Sequence, residues 1–366
     1  MAALSRHSPR EDGQHPPSRG SGLPPRRFRI APLLLVCTAA WAASPVAAGS
    51  TYQAVHAASK LRCGVISTPE DWNKSDLHGP LTALDREICK AVAVAVNGPK
   101  SGLDIREYAT ELEAEEALSK SAVELVVGVT PEATAMWHWN ISFGPPVFYD
   151  GQGFLVRGDA PVAALADLAG CKVCVIEGTD NEKILLARTV ARGIAINPLP
   201  FQEEGEMDDG LVVRHCDAVS AYLSRLAQLK VTYAKQLGHD NILPEVITLA
   251  PVAPAYRRGD PQWAMIVDWT VYALIQAEAS GVRQSNVEAE KASDDPVIQR
   301  LLGVDWATSR ALGLPAKDWA AQVIATVGNY GEIYDRTVGS GSPLKMPRGL
   351  NALWLNGGLI HPLPVQ

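Results

Sequence analysis

Residues 179–182 read Thr-Asp-Asn-Glu, directly after the β-branched run Val173–Ile176, Glu177 and a glycine at position 178. A hydroxyl residue with glutamate three positions later, ahead of an apolar run, is a capping box, so the spacing predicts a strand, a tight turn and the first turn of a helix. The first N–H groups of a helix have no partner inside it and carry the positive end of the peptide dipoles. Such a turn is a natural seat for an anion, and the plainer alternative is that the cap serves only its own helix. Acid–base candidates are Glu132, His138 and Glu177, but no nucleophile and base stand at a workable spacing. Each also has a simpler role, as a helix-start charge, a solvated residue and an exposed turn residue respectively. Cys171-Lys-Val-Cys174 has redox or zinc spacing, yet no second Cys pair or His pair completes four ligands, so no metal and no cofactor is expected.

Two segments positioning such a turn follow one plan. Leu61–Ser67 is a short strand pattern, followed after a polar loop by a helix that carries Leu84, Ile88, Val92 and Ala95 on one face, and then by a buried strand, Val123–Thr130. The same order returns with the strand ending at Ile176, a helix from Asp180 to about Arg192, and a strand pattern over His215–Leu223. Strand–helix–strand alternation implies α/β lobes, each with a central, mostly parallel sheet flanked by helices. Both copies place one cysteine in an early strand and one further on, so Cys63 is expected to pair with Cys89 and Cys174 with Cys216. Between the copies lies Tyr-Asp-Gly-Gln-Gly-Phe, 149–154, an extended crossover with glycines that absorb backbone rotation. A proline-marked segment over Pro244–Pro251 is the expected return crossing, and an amphipathic helix around Ile266, Trp269, Ala273 and Ala277 follows it.

The chain has 366 residues, nearly half of them apolar, with a net charge of −7. Residues 1–49 begin with a Pro, Ser, Arg and Gly-rich stretch; Arg26, Arg27 and Arg29 then precede an apolar run and small residues, the pattern of a cleavable secretory signal. Setting aside the +4 of that leader leaves −11 on the body, which argues against nucleic acid or an anionic membrane as partner. Export to a periplasm follows, and in an oxidising compartment the cysteines of the body serve as structural bridges. Their odd number leaves Cys171 over.

The stretches LRCGV, LDREICKAVAVAV, FYDGQGFLVR, LPEVIT, RRGDPQW and GNYGEIYDRTVGSGSPLKMPRGLNALWLNGGL resemble the periplasmic solute-binding proteins, family 3 with the type II fold, of general L-amino-acid ABC transporters. The resemblance runs from about Leu61 to Leu359. It implies a two-lobed binding protein, 50–152 and 153–248 forming the lobes and 249–366 the return and a C-terminal extension, joined by two hinge crossovers. It further implies capture of a small solute between the lobes and, as partners, a membrane permease with its ATPase, the binding protein itself being a monomer.

In that family an arginine of the first lobe and the N–H groups of a second-lobe helix start hold the amino acid's carboxylate, and an aspartate holds its ammonium. The helix start matches Gly178 and Thr179. At the arginine's place stands Ala135 or Met136, with no Arg or Lys between Val129 and Gly151, so that Thr130 and the backbone are left as polar contacts. The aspartate's place falls at Tyr222. Loss of a buried charged partner costs about 2–5 kcal/mol, or roughly two to four orders of magnitude in affinity. The expected site is therefore Trp72, Thr130, Ala135, Met136, Gly178, Thr179 and Tyr222, with Trp137 and Trp139 as candidates for an aromatic wall and Arg225 or Lys183 as replacement anchors. Two other readings are a non-transporting receptor of the same fold and a dehydratase-like enzyme using Glu132, His138 and Glu177.

Overall fold

The computed structural model describes residues 50–67, 80–238 and 242–365; the expected leader and Trp72 lie outside the described residues. After helix α1 (Ser50–Ala58), strand β1 (Lys60–Ile66) buries Leu61, Cys63 and Val65 on one side, as period-two alternation demands. Helix α2 (Thr82–Asn97) begins where the Thr82 hydroxyl donates to the Ile66 carbonyl at 2.7 Å, and it is buried almost all round from Ala91 to Val96. Strand β2 (Gly102–Tyr108), helix α3 (Glu111–Ser119), strand β3 (Leu125–Val129), helix α4 (Ala133–His138) and the short strands β4 (Ile141–Phe143) and β5 (Phe148–Asp150) follow.

The chain crosses once and builds a second sheet from β6 (Gln152–Val156), β7 (Lys172–Ile176), helix α5 (Asp180–Ala191), β8 (Asn197–Phe201), helix α6 (Glu204–Val212) and β9 (Ala218–Tyr222). Helices α7 (Leu223–Thr232) and α8 (Ala234–Leu237) lead to the return crossing, and β10 (Ala250–Arg257) rejoins the first sheet. Helix α9 (Pro261–Ala279) then buries Trp263, Ile266, Val271 and Leu274 under that sheet. Short helices α10 (Val287–Glu290), α11 (Pro296–Leu301) and α12 (Ala307–Leu312) precede α13 (Trp319–Val327) and α14 (Tyr330–Thr337).

Among the described residues the strands form two sheets, ordered β2-β1-β3-β10-β4 with β5 on β10, and β6-β9-β7-β8. Both are mixed. Pairs β1–β2, β1–β3, β7–β8 and β7–β9 are parallel, whereas β10 is antiparallel to β3, β4 and β5, and β6 to β9. The strands that follow helices arrive parallel, and β6 and β10, which enter straight from the crossings with no helix to turn them round, run antiparallel to their neighbours. Strands β2 and β8 carry no clear apolar alternation in the sequence because they lie at sheet edges; Pro198 and Pro200 in β8 are tolerated only there.

The two crossings run side by side. Gln152 N–H donates to the Thr248 hydroxyl at 2.8 Å, Ile247 N–H to the Gln152 carbonyl at 2.8 Å and Leu243 N–H to the Phe154 carbonyl at 2.9 Å. A Cβ on Gly151 would sit 2.5 Å from the Thr248 carbonyl oxygen, so glycine is what lets the strands approach. Gly151→Ala is expected to cost about 2 kcal/mol, read in thermal unfolding, because a rigid backbone atom rather than a side-chain end must give way. An unchanged melting temperature would show that the crossings are loosely joined.

The C-terminal block clasps this hinge. Asn351 accepts from Tyr149 N–H at 2.6 Å and donates back to its carbonyl at 3.0 Å, and the Tyr330 hydroxyl donates to Val147 at 2.8 Å. The Arg348 guanidinium stacks on Tyr334 at 4.7 Å and on Tyr330 at 5.2 Å while donating to Glu278. Disulfides join Cys63 to Cys89, tying β1 to α2, and Cys174 to Cys216, tying β7 to the entry of β9. Cys171 remains a free thiol.

Candidate functional site

The carboxyl ends of the central strands carry the candidate residues. Thr130 directly follows strand β3 and strand β9 ends at Tyr222, while β7 turns at Gly178 into α5. That turn needs glycine for its φ of +74° alone, since an added Cβ would meet nothing. Tyr222 is 41% exposed. Its phenol is pushed up by burial and further by the carboxylates of Glu111, Asp150, Asp180 and Glu132. Glu111 and Glu132 belong to the chain stretch that builds the first sheet and Asp180 to that of the second, so carboxylates from both act on the Tyr222 phenol.

Several of the donors expected to face a ligand, those of Thr130, Gly178 N–H and the Thr179 hydroxyl, are engaged within the chain. Thr130 gives its N–H to Glu111 Oε2 at 2.9 Å and its hydroxyl to Oε1 at 3.1 Å. Gly178 N–H donates to Glu182 Oε2 at 2.7 Å, the Thr179 hydroxyl donates to the Ile176 carbonyl, and Glu182 N–H returns to Thr179 at 3.3 Å. The Thr179 hydroxyl caps α5, but the Glu182 carboxylate takes Gly178 N–H rather than the N–H of the cap residue, so the expected capping box is half formed and one of the N–H groups expected for an anion is occupied. Thr130 likewise gives both of its polar hydrogens to Glu111 in this arrangement.

Ala135 is buried in a cluster with Leu118, Val129, Ile141 and Ala255, and Met136 beside it is half-buried. Trp139 packs against that cluster and meets His138 edge-on at 4.4 Å, whereas Trp137 is exposed. Arg225 is not a spare cation: it is held by Glu204 at 3.0 Å and Asp208 at 2.5 Å, and Lys183 pairs with Asp180 at 2.9 Å. Neither stands in for the missing arginine in this arrangement. Among the described residues no group of three or more His, Cys, Asp or Glu is placed to hold a metal.

Sequence reading missed the acids behind Thr130. Glu111 is raised by burial, opposed by its bonds from Thr130. Glu115, one turn further along α3, is pushed up to about 7 by burial and by Glu111 and Glu132. Asp85 on α2 is raised well above the usual carboxylate range by burial and by Glu111, and its Oδ1 has no donor. Gly128, at φ +98°, lies so close that a Cβ there would come within 2.4 Å of Asp85 Oδ2. In sequence, the acids of 111–116 read as a solvated helix face; only the packing of α3 on β3 turns Glu111 and Glu115 toward the strand end.

No family model matches the chain. The general L-amino acid-binding periplasmic protein AapJ of Rhizobium johnstonii is 38% identical over 329 residues, covering 87% of this chain and 94% of that protein. The putative amino-acid ABC transporter-binding protein YhdW of Escherichia coli K12 is 33% identical over 347 residues, covering 93% of this chain and 100% of that one. Among solved structures, an ABC transporter periplasmic binding protein from Brucella ovis with glutathione bound superposes with a TM-score of 0.70 at 34% identity, over 86% of this chain and 99% of that chain.

Proposed function

This chain belongs to the family of periplasmic substrate-binding proteins of amino-acid ABC transporters, and from that premise we propose that it captures a small polar solute between its lobes and delivers it to a membrane permease driven by an ATPase. The observation that carries this reading is the pair of separate sheets joined by two crossings that are hydrogen-bonded to each other. The relatives are named as binding proteins, and on this reading Glu132, His138 and Glu177 have no catalytic part to play. The lobes divide at 50–152 and 153–248, the return and extension occupy 249–366, and closure is a hinge motion about 149–154 and 244–251. The protein acts as a monomer in the periplasm, exported by a signal within residues 1–49; among the described residues no helix is long and apolar enough to cross a membrane.

Ligand contact falls to Thr130, Ala135, Met136, Gly178, Thr179 and Tyr222, together with Trp72, which lies outside the described residues. A Brucella relative holds glutathione, so a cleft of this family takes solutes beyond a single amino acid. Thermal unfolding of the mature chain against amino acids, amines, small peptides including glutathione, and neutral osmolytes tests capture. A binder at a hundred times its Kd raises stability by about 2.7 kcal/mol. A library without one stabilising solute, together with unchanged uptake on deletion of the protein, would favour the non-transporting receptor of the same fold.

A further inference from the structure

We infer that Asp150 is a latch between the lobes: its backbone belongs to the first sheet, its carboxylate caps helix α7 of the second lobe, and its bonds to Ser224 set both the angle of the hinge and the placement of Tyr222. This rests on the hinge motion of the capture reading and names the contact that must give way for it. Asp150 closes β5, where it pairs with Ala250 of β10, and Tyr149 before it is held by Asn351 at both its N–H and its carbonyl. The side chain reaches the other lobe. Oδ1 accepts from Gly151 N–H at 2.8 Å and from Ser224 N–H at 3.3 Å, and Oδ2 accepts the Ser224 hydroxyl at 2.5 Å.

Helix α7 has no cap of its own. Tyr222 stands at its N-cap position without a side-chain bond to the first turn, so Asp150, 74 positions earlier, takes the role. A carboxylate there makes charge-assisted bonds and complements the peptide dipoles. Two further contacts make the match continuous: Leu223 N–H donates to the Gly151 carbonyl at 2.9 Å, and Tyr222 faces Gln152 in the β6–β9 ladder. Residues 150, 151 and 152 thus meet 224, 223 and 222 in order. Asp150 is 4% exposed and Ser224 5%; burial pushes the Asp150 carboxyl up, and the bonds from Ser224 and Gly151 pull it back. A buried carboxylate stripped of its donors is costly, so these bonds are not exchanged freely for water. Rotation of the second lobe carries Ser224 away from a backbone fixed in the first sheet, and a side chain with only two torsions cannot follow far. The latch is therefore made or broken with the hinge, and Asp150 is a positioning residue for Tyr222.

Electron–electron resonance distances between spin labels at Lys90→Cys on α2 and Arg188→Cys on α5, both exposed, read the angle in a mature chain carrying Cys171→Ser. The parent is expected to show one narrow distance. Asp150→Ala is expected to broaden it about twofold or to move it by about 3 Å or more. Asp150→Asn, whose amide can still accept both N–H groups and donate to the Ser224 hydroxyl, should stay near the parent, a rescue that a mere loss of stability would not give. Ser224→Ala keeps the carboxylate and removes one bond, so it should fall between the two and serves where Asp150→Ala does not fold. A broad distribution in the parent overturns the latch, as do identical narrow distributions in the parent, Asp150→Ala and Ser224→Ala. In that last case a stabilising solute that still shifts the parent's distance leaves the hinge standing without the latch, whereas a distance that no solute and no variant moves removes both.

Discussion

Replacing Cys174 and Cys216 together by serine is expected to destabilise the second lobe by about 4 kcal/mol and to lower its melting temperature by roughly 10 °C. The bridge closes a loop with a sequence separation of 42, and chain-entropy arguments assign about that much to a loop of such length. The lobe depends on it because its interior is divided. One buried cluster, around Phe154, Val173 and Leu185, lies on one side of the sheet, and another, around Leu155, Met207 and Leu226, on the other. Each cluster alone is small, so a tie between β7 and the entry of β9 holds the strands whose ends bear Gly178 and Tyr222. Cys171→Ser is the control. Its thiol makes only a long contact to the Asp167 carbonyl at 3.6 Å, and burial together with Asp217 and Asp167 pushes it up, so little changes on its removal. Thermal unfolding of both variants, followed in the second lobe by hydrogen exchange, checks the expectation; a double-serine loss under about 1 kcal/mol contradicts it.

Stability should also fall as pH rises from about 5 to 8. Glu115 stands at about 7, Asp208 and Asp268 at about 6, and Asp85 and Glu111 are raised, each with burial as the first cause. In each case the folded value lies above the unfolded one, so over this window the native state holds more protons than the unfolded chain. The derivative of unfolding free energy with pH is then negative, and what is fully present below the unfolded carboxylate range is lost as pH climbs through the folded values. Glu115 is 6% exposed, and its shift alone corresponds to about 3 kcal/mol. Exposed acids such as Asp104 and Asp159, held down by arginines, act in the opposite sense but titrate at lower pH and are screened. Unfolding midpoints at pH 5, 6, 7 and 8 measure the slope. Glu115→Gln should raise the midpoint at pH 8 and leave it nearly unchanged at pH 5. A flat or rising profile in the parent chain would mean that these carboxyls are hydrated in the folded state.

Much of the architecture is legible in local pattern. The apolar period of α2 and α9, the β-branched runs of β3 and β7, and the glycines at 151 and 153 announced two strand–helix–strand lobes with a hinge, because burial imposes periodicity on any element that packs on one face. Edge strands β2 and β8 escaped that reading, since an element packed weakly on both faces keeps no such period. The cysteine pairing was legible because each pair repeats in the same place of the same plan.

The site divides along a different line. Residue identity alone determined what the cleft lacks: no arginine or lysine stands between Val129 and Gly151, and a tyrosine occupies position 222 where an aspartate was expected. Charge is a property of the side chain and needs no coordinates. What fills the vacated roles was decided only by the tertiary structure. Glu111 meets Thr130 across 19 positions of sequence, Asp85 lies against Gly128, and Arg225 turns away to Glu204 and Asp208. Whether a donor is free for a solute depends on which acceptor the fold brings within 3 Å of it, and that distance is set by packing between elements that no local period encodes.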